Sequence, residues 1–107
     1  MVVSRFDVLL IKLDPTVGHE IKKTRPCVVI SPDEINHSHS GVLLVAPLTS
    51  TSRALPTRVP THCEGKDGEI ALEQIRSIDR QRIIKKISSL DGQTCQKLLQ
   101  TLQALFS

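Results

Sequence analysis

Apolar positions along this chain come in short blocks separated by Gly, Pro, Asp and Ser, and only the C-terminal end shows a helical rhythm. Val8–Leu13 reads as a first strand, ended by Asp14-Pro15-Thr16-Val17-Gly18, where Pro15 and Gly18 break regular structure. Residues 19–24 read as a polar, mobile loop. Cys27–Ile30 is an unbroken, mostly β-branched run, the pattern of a strand buried on both faces. Ser31-Pro32-Asp33-Glu34 predicts a helix start, with Ser31 as cap, Pro32 at the first helical position and Glu34 completing a capping box. Asn36–Gly41 is loop-like, so little more than one turn can follow.

Val42–Ala46 predicts a third strand, followed by a hydroxyl-rich loop that opens Pro47-Leu48-Thr49-Ser50-Thr51-Ser52 and runs to Leu55. Thr57–Thr61 alternates between Pro56 and Pro60, which suits an edge strand. Glu64–Gly68 is a turn and Glu69–Leu72 a strand. An irregular stretch containing Arg76 and Asp79 leads to a last strand, Arg82–Ser88. From Asp91, a possible cap, the period changes: Cys95, Leu98, Leu99, Leu102 and Leu105 follow the spacing of an amphipathic helix. The expected fold is mainly β, a small, strongly bent antiparallel sheet or partly open barrel with one C-terminal helix packed on it. At 107 residues the chain suffices for one domain spanning 1–107.

Composition narrows the function classes. Phe6 and Phe106 are the only aromatic residues, which argues against surfaces that stack bases on rings. The longest apolar run, Val42–Ala46, is far too short to span a membrane. Arg5, Asp7 and Lys12 interrupt any signal-peptide pattern, so a cytoplasmic protein without membrane contact is expected. Three widely spaced cysteines, Cys27, Cys63 and Cys95, suit neither a disulfide framework nor a zinc site, and Cys27 and Cys95 lie in apolar runs. The net charge of +3 matters less than its distribution. Lys22, Lys23 and Arg25 outweigh Glu20, and Arg76, Arg80, Arg82, Lys85 and Lys86 outweigh Asp79. If folding brings these segments together they form a phosphate-binding surface; otherwise they are two solvated faces.

Four constellations could carry chemistry. His19 and Glu20 precede Lys22, Lys23 and Arg25 in one loop, and Arg25 sits at the junction with a buried strand. A guanidinium fixed there offers permanent charge and forked donors to a phosphate or its pentavalent transition state. The same residues also fit a surface Arg paired with Glu20. The hydroxyls of Thr49, Ser50, Thr51 and Ser52 could donate to phosphate oxygens, or simply line a polar loop. Glu73, Gln74 and Arg76 could read base edges, or form an ordinary turn. His37 and His39 lack an acidic or Cys partner at metal-binding spacing, and His62 has no partner in sequence. No phosphate-binding Gly loop, nucleophile elbow, zinc-protease motif or paired-Asp metal motif occurs. An enzyme built from these residues would work without metal or cofactor, which RNA permits because its 2′-OH is a built-in nucleophile.

The blocks Leu13–Glu20, Thr24–Pro32, Ala46–Ser50, Leu55–Thr57 and Leu72–Arg80 resemble, in order and over nearly the whole chain, the MazF/PemK/Kid toxins. The resemblance implies an SH3-like barrel of the MazF/PemK/CcdB type with a C-terminal helix, paired as a homodimer. It implies sequence-specific cleavage of single-stranded RNA, leaving 2′,3′-cyclic phosphate and 5′-OH ends. It further implies a MazE-like antitoxin that blocks the RNA groove, with DNA reached only through an antitoxin complex. Catalysis would fall on Arg25 and Thr49, with His19 and Glu20 as acid–base candidates. Lys22, Lys23, Ser50, Leu55, Pro56, Glu73, Gln74 and Arg76 would bind RNA. Two departures stand out. Arg5-Phe6-Asp7 replaces the Arg-Gly-Asp of many members, so a differently shaped turn is expected, and Ala71 replaces an Arg of Kid-like members. The last favours a mechanism centred on Arg25. The alternatives are a CcdB-like toxin that acts through protein contacts without cutting RNA, and an inactive homologue that only binds RNA or antitoxin.

Overall fold

A computed structural model describes all 107 residues. The strands are β1 (Asp7–Lys12), β2 (Thr24–Val29), β3 (Val42–Thr49), β4 (Arg58–Cys63), β5 (Lys66–Ala71), β6 (Arg76–Asp79) and β7 (Ile83–Ser89). The helices are α1 (Asp33–Asn36) and α2 (Gly92–Leu105), with single 3-10 turns at Leu72–Gln74 and Arg80–Arg82. All seven strands form one antiparallel sheet in the order β4-β5-β3-β2-β1-β7, with β6 also on β3. β3 is the pivot. Its first half pairs with β6, its last two residues pair with β5, and β2 runs along its other side. A strand shared in this way makes the sheet curl into a half-barrel.

The curl creates two cores, one on each face. Leu9, Ile11, Cys27, Val29, Leu43 and Val45 belong to one cluster. Val8, Val28, Ile30, Ala46, Val59 and Leu98 belong to the other. Successive residues of β2 thus feed opposite cores, which is why Cys27–Ile30 is apolar throughout. Each fully buried Leu, Ile or Val contributes about 1.5–3 kcal/mol. Helix α2 closes the second core through Leu98, with Leu102 packed beside it, as its periodicity predicts.

Four expectations need correction. Pro47, Leu48 and Thr49 are not loop: they complete β3 and are buried, because β5 supplies partners at Leu48↔Ile70 and Thr49↔Glu69. The stretch after Glu73 is not irregular: Arg76–Asp79 is β6, paired with Val42–Val45. Residues 19–23 are strapped down rather than loose, since Leu13 donates its amide to the Lys23 carbonyl at 2.9 Å and Gln74 grips the loop from the far side. Pro32, not Ser31, is the N-cap of α1, and no side-chain cap forms. The Ser31 hydroxyl instead donates to Asn36 Oδ1 and accepts the Leu44 amide, tying the short helix to β3. Asp91 occupies the N-cap position of α2 without a side-chain hydrogen bond. No helix is long and apolar enough to cross a membrane.

Candidate active site

Two prolines open the site. The β2–β3 ladder runs through Val29↔Val45 and Val28↔Ala46 to Cys27↔Pro47 and stops there. Pro26 and Pro47 carry no amide hydrogen with which to continue it. Extending the register by two residues sets Arg25 opposite Thr49, and both line a hollow of about 280 Å³ between the parted strand ends and the β4–β5 hairpin. Ser50, Thr61, Lys66 and Asp67 also border it.

Within this hollow Arg25 is half-buried, and its Nε donates to the Lys22 carbonyl at 3.2 Å. That bond orients the guanidinium while leaving both terminal nitrogens without a protein acceptor. Thr49 is 8% exposed, and its Oγ1 accepts the Thr51 amide at 3.1 Å, so its hydroxyl proton remains available to donate. Gly68 explains how β5 comes so close: a Cβ there would lie 3.0 Å from the Thr49 carbonyl oxygen. The hollow thus offers a forked cation and a hydroxyl donor converging on one open space, which suits a phosphate.

The other half of the expected constellation lies next door. His19, Glu20, Glu73, Gln74 and Arg76 line a second hollow of about 380 Å³, which shares β3 with the first because Pro47 borders one and Leu48 the other. His19, Glu20 and Arg25 are close in sequence but do not share a hollow. Glu20 accepts the Val17 amide and so closes its own turn, with no bond to Arg25. Gln74 is engaged at both ends of its amide, Oε1 accepting from Ile21 N at 2.6 Å and Nε2 donating to the His19 carbonyl at 3.1 Å. Arg76 Nη1 donates to the Leu13 carbonyl at 3.0 Å. Lys22, Lys23, Leu55 and Pro56 are exposed and border neither hollow.

The two basic segments flank β1, which pairs with β2 on one side and β7 on the other, and several side chains of the second segment are engaged. Arg80 donates to the Asn36 and Met1 carbonyls, Arg82 to those of Lys12 and Asp14, and Lys86 pairs with Asp7 at 3.2 Å. Burial pushes the Cys27 thiol up to about 12, against the pull of Arg76 and Arg25, so it behaves as a core group. Burial also raises Cys63 and Cys95. No three His, Cys, Asp or Glu side chains converge as metal ligands. His62 does have a partner, Asp67, across the hairpin at 2.8 Å.

One central residue escaped the sequence reading. Arg58 is buried, with its side chain 4% exposed, between Glu69 Oε1 at 3.0 Å and Glu73 Oε2 at 2.8 Å. Glu69 is held below the usual carboxylate range, first by the Arg53 amide and then by Ser52 and Arg58. For Glu73, burial pushes upward, but hydrogen bonds from Thr57 and Arg58 outweigh it and its pKa is lowered.

Residues 4–106 match the family described as PemK-like, MazF-like toxin of type II toxin–antitoxin systems. The chain belongs to this family. It is 38% identical to Endoribonuclease EndoA of Bacillus subtilis over 96% of this chain and 93% of that protein. Its fold is similar to that of MazF from Deinococcus radiodurans, with a TM-score of 0.86 at 24% identity, covering 99% of this chain and 97% of that one. It is also similar to a mycobacterial endoribonuclease solved in complex with its cognate antitoxin, with a TM-score of 0.81 at 18% identity, covering 97% and 94%.

Phe6 adopts φ 71°, the left-handed conformation that a glycine would favour. The turn thus has a glycine-type backbone at a residue that carries a side chain. Around it, Phe6 N donates to the Val29 carbonyl at 2.8 Å and Leu90 N donates to the Phe6 carbonyl at 3.0 Å. Buried Asp7 accepts the Ser4 amide at 2.8 Å.

Proposed function

We propose that this PemK/MazF-family toxin is an endoribonuclease that cuts single-stranded RNA at short sequence motifs, without metal or cofactor, in the hollow between Arg25 and Thr49. The observation that carries the reading is the Arg25 guanidinium, oriented by Lys22 yet with both terminal nitrogens free, across the strand ends from the Thr49 hydroxyl. The relative named Endoribonuclease EndoA supports RNA cleavage as the activity, over a CcdB-like toxin or an inactive binding homologue.

In the proposed reaction the ribose 2′-OH attacks the adjacent phosphorus in line with the departing 5′-oxygen. The products are a 2′,3′-cyclic phosphate and a 5′-OH. Arg25 and Thr49 donate to the non-bridging oxygens, where charge accumulates in the phosphorane. The acid–base candidates are His19 and Glu20, which line the adjoining hollow and would act on an RNA that spans both hollows. Ser50 would extend the phosphate contacts in the first hollow, and Glu73 and Arg76 would contact bases in the second. The protein would act in the cytoplasm as a homodimer, one toxin domain over residues 1–107. Val42 and Leu44, each 39% exposed on β3, supply apolar surface for pairing. A MazE-like antitoxin would neutralise it, a reading supported by the structural relative solved with its cognate antitoxin. DNA would be reached only through that complex.

The test is incubation with a mixed RNA pool in excess EDTA, followed by mapping of the new ends. Cleavage leaving cyclic phosphate and 5′-OH ends is expected. Cleavage only after magnesium is added, or 5′-phosphate ends, would sink the mechanism.

A further inference from the structure

Arg58 is the only buried Lys or Arg. It stands on β4 at the sheet edge, where an alternating strand flanked by prolines reads as solvent-facing. Enclosing a guanidinium is unfavourable unless its donors are met, and an apolar side chain of similar size would often serve stability as well. What the guanidinium adds is direction. Its Nε donates to Glu73 Oε2 at 2.8 Å, and its Nη1 donates both to Glu69 Oε1 at 3.0 Å and to the Thr51 carbonyl at 3.1 Å.

The two carboxylates pass this order on. Glu69 accepts the Ser52 hydroxyl at 3.0 Å and the Arg53 amide at 3.2 Å, while Glu73 accepts the Thr57 hydroxyl at 2.7 Å. The loop 50–57 contains no regular structure, yet it is held at Thr51, Ser52, Arg53 and Thr57 by groups that converge on one guanidinium. The network also joins the two hollows. Glu69 is the β5 partner of Thr49 in the first, and Glu73 lines the second.

We propose that Arg58 is a positioning residue for RNA selection: through Glu69 and Glu73 it fixes loop 50–57 and the Glu73 carboxylate relative to the Arg25–Thr49 hollow. With Arg53 in the loop itself, two guanidiniums stand against two carboxylates and the patch carries no net charge. It therefore adds no net attraction for phosphates, and its contribution to RNA is the shape and hydrogen-bonding groups that the loop presents to bases and sugars beside the cut. The inference rests on the reading of the hollow as an RNA-cutting site.

The test compares wild type, Arg58→Lys and Glu69→Gln on a panel of RNA oligonucleotides that differ in the bases flanking the cut. Melting and hydrogen exchange of amides 51–57 are followed in parallel. Glu69→Gln keeps the shape of the network and guards against loss of fold in the Arg58 variant. We expect faster exchange of the loop amides, a KM raised about three- to ten-fold and a flattened preference across the panel, with kcat on the best substrate changed less than KM. Arg58→Lys should retain part of the preference, because it keeps charge but not the fork. Folded variants with wild-type KM and preference would overturn the role of Arg58, as would a fall in kcat with both unchanged. A wild-type protein that cuts none of the panel or a mixed pool would instead overturn the RNA-cutting reading beneath it.

Discussion

Gln74 holds Ile21 across 53 residues of sequence: its Oε1 accepts the Ile21 amide at 2.6 Å. With its Nε2 on the His19 carbonyl, the side chain straps the loop carrying His19 and Glu20 to the turn carrying Glu73. Gln74→Ala should release that loop. Each lost bond contributes about 0.5–1.5 kcal/mol, so the fold should survive. Amide exchange at residues 19–22 should accelerate and KM for RNA should rise. Gln74→Glu keeps the acceptor for Ile21 but loses the donor for His19, and should fall between. Unchanged exchange in Gln74→Ala would show that the strap is not needed.

Gly68 tests how closely Thr49 must be held. Its missing Cβ leaves room for the Thr49 carbonyl, 3.0 Å from where that atom would sit. Gly68→Ala should push β5 from β3 or shift Thr49 by a few tenths of an ångström. Overpacking of this kind costs about 1–3 kcal/mol. A lower melting temperature and a reduced kcat are both expected. A variant as stable and as active as wild type would mean that the contact relaxes freely.

Phe6 in the left-handed region carries a backbone penalty of about 1–2 kcal/mol. Its ring also packs partly on the second core, so a single truncation mixes two effects. Comparison of two variants separates them. Phe6→Ala and Phe6→Gly both remove the ring, but only glycine relieves the backbone. Chemical denaturation should find Phe6→Gly more stable than Phe6→Ala by about 1 kcal/mol. Equal stabilities would show that the turn relaxes once the ring is gone.

What could be read from the sequence follows burial pattern. β2 was legible because Val28 and its neighbours Cys27 and Val29 feed opposite cores, which demands an unbroken apolar run. α2 was legible because Leu98, Leu99 and Leu102 keep a helical period. The end of β3 was not, because Pro47-Leu48-Thr49-Ser50 has the composition of a loop and only pairing with distant β5 makes it strand. β6 has a single buried residue, Ile78, too little pattern to announce a strand. In the site, family resemblance points to Arg25 and Thr49, and the two residues line one hollow beyond the end of the β2–β3 ladder. Gln74 and Arg58 show the limit. A Gln beside a Glu looks free to read bases, and an Arg in an edge strand looks solvated, until residues far along the chain supply their partners.

The central claim is that Arg25 stabilises the phosphorane, and the rate of a single turnover tests it most directly. Purified wild type, Arg25→Ala and Arg25→Lys would be compared at saturating enzyme on an RNA oligonucleotide with one cut site. Arg25 is half-buried at a strand end, with only the Lys22 carbonyl as partner, so both variants should fold. Loss of one preorganised donor to the transition state predicts an Arg25→Ala rate down about 100- to 1000-fold, with RNA binding changed far less. Arg25→Lys should recover part of the loss, since an ammonium keeps charge without the fork. A folded Arg25→Ala protein that cuts within a few-fold of the wild-type rate would contradict the account and move catalysis to the neighbouring hollow of His19 and Glu20.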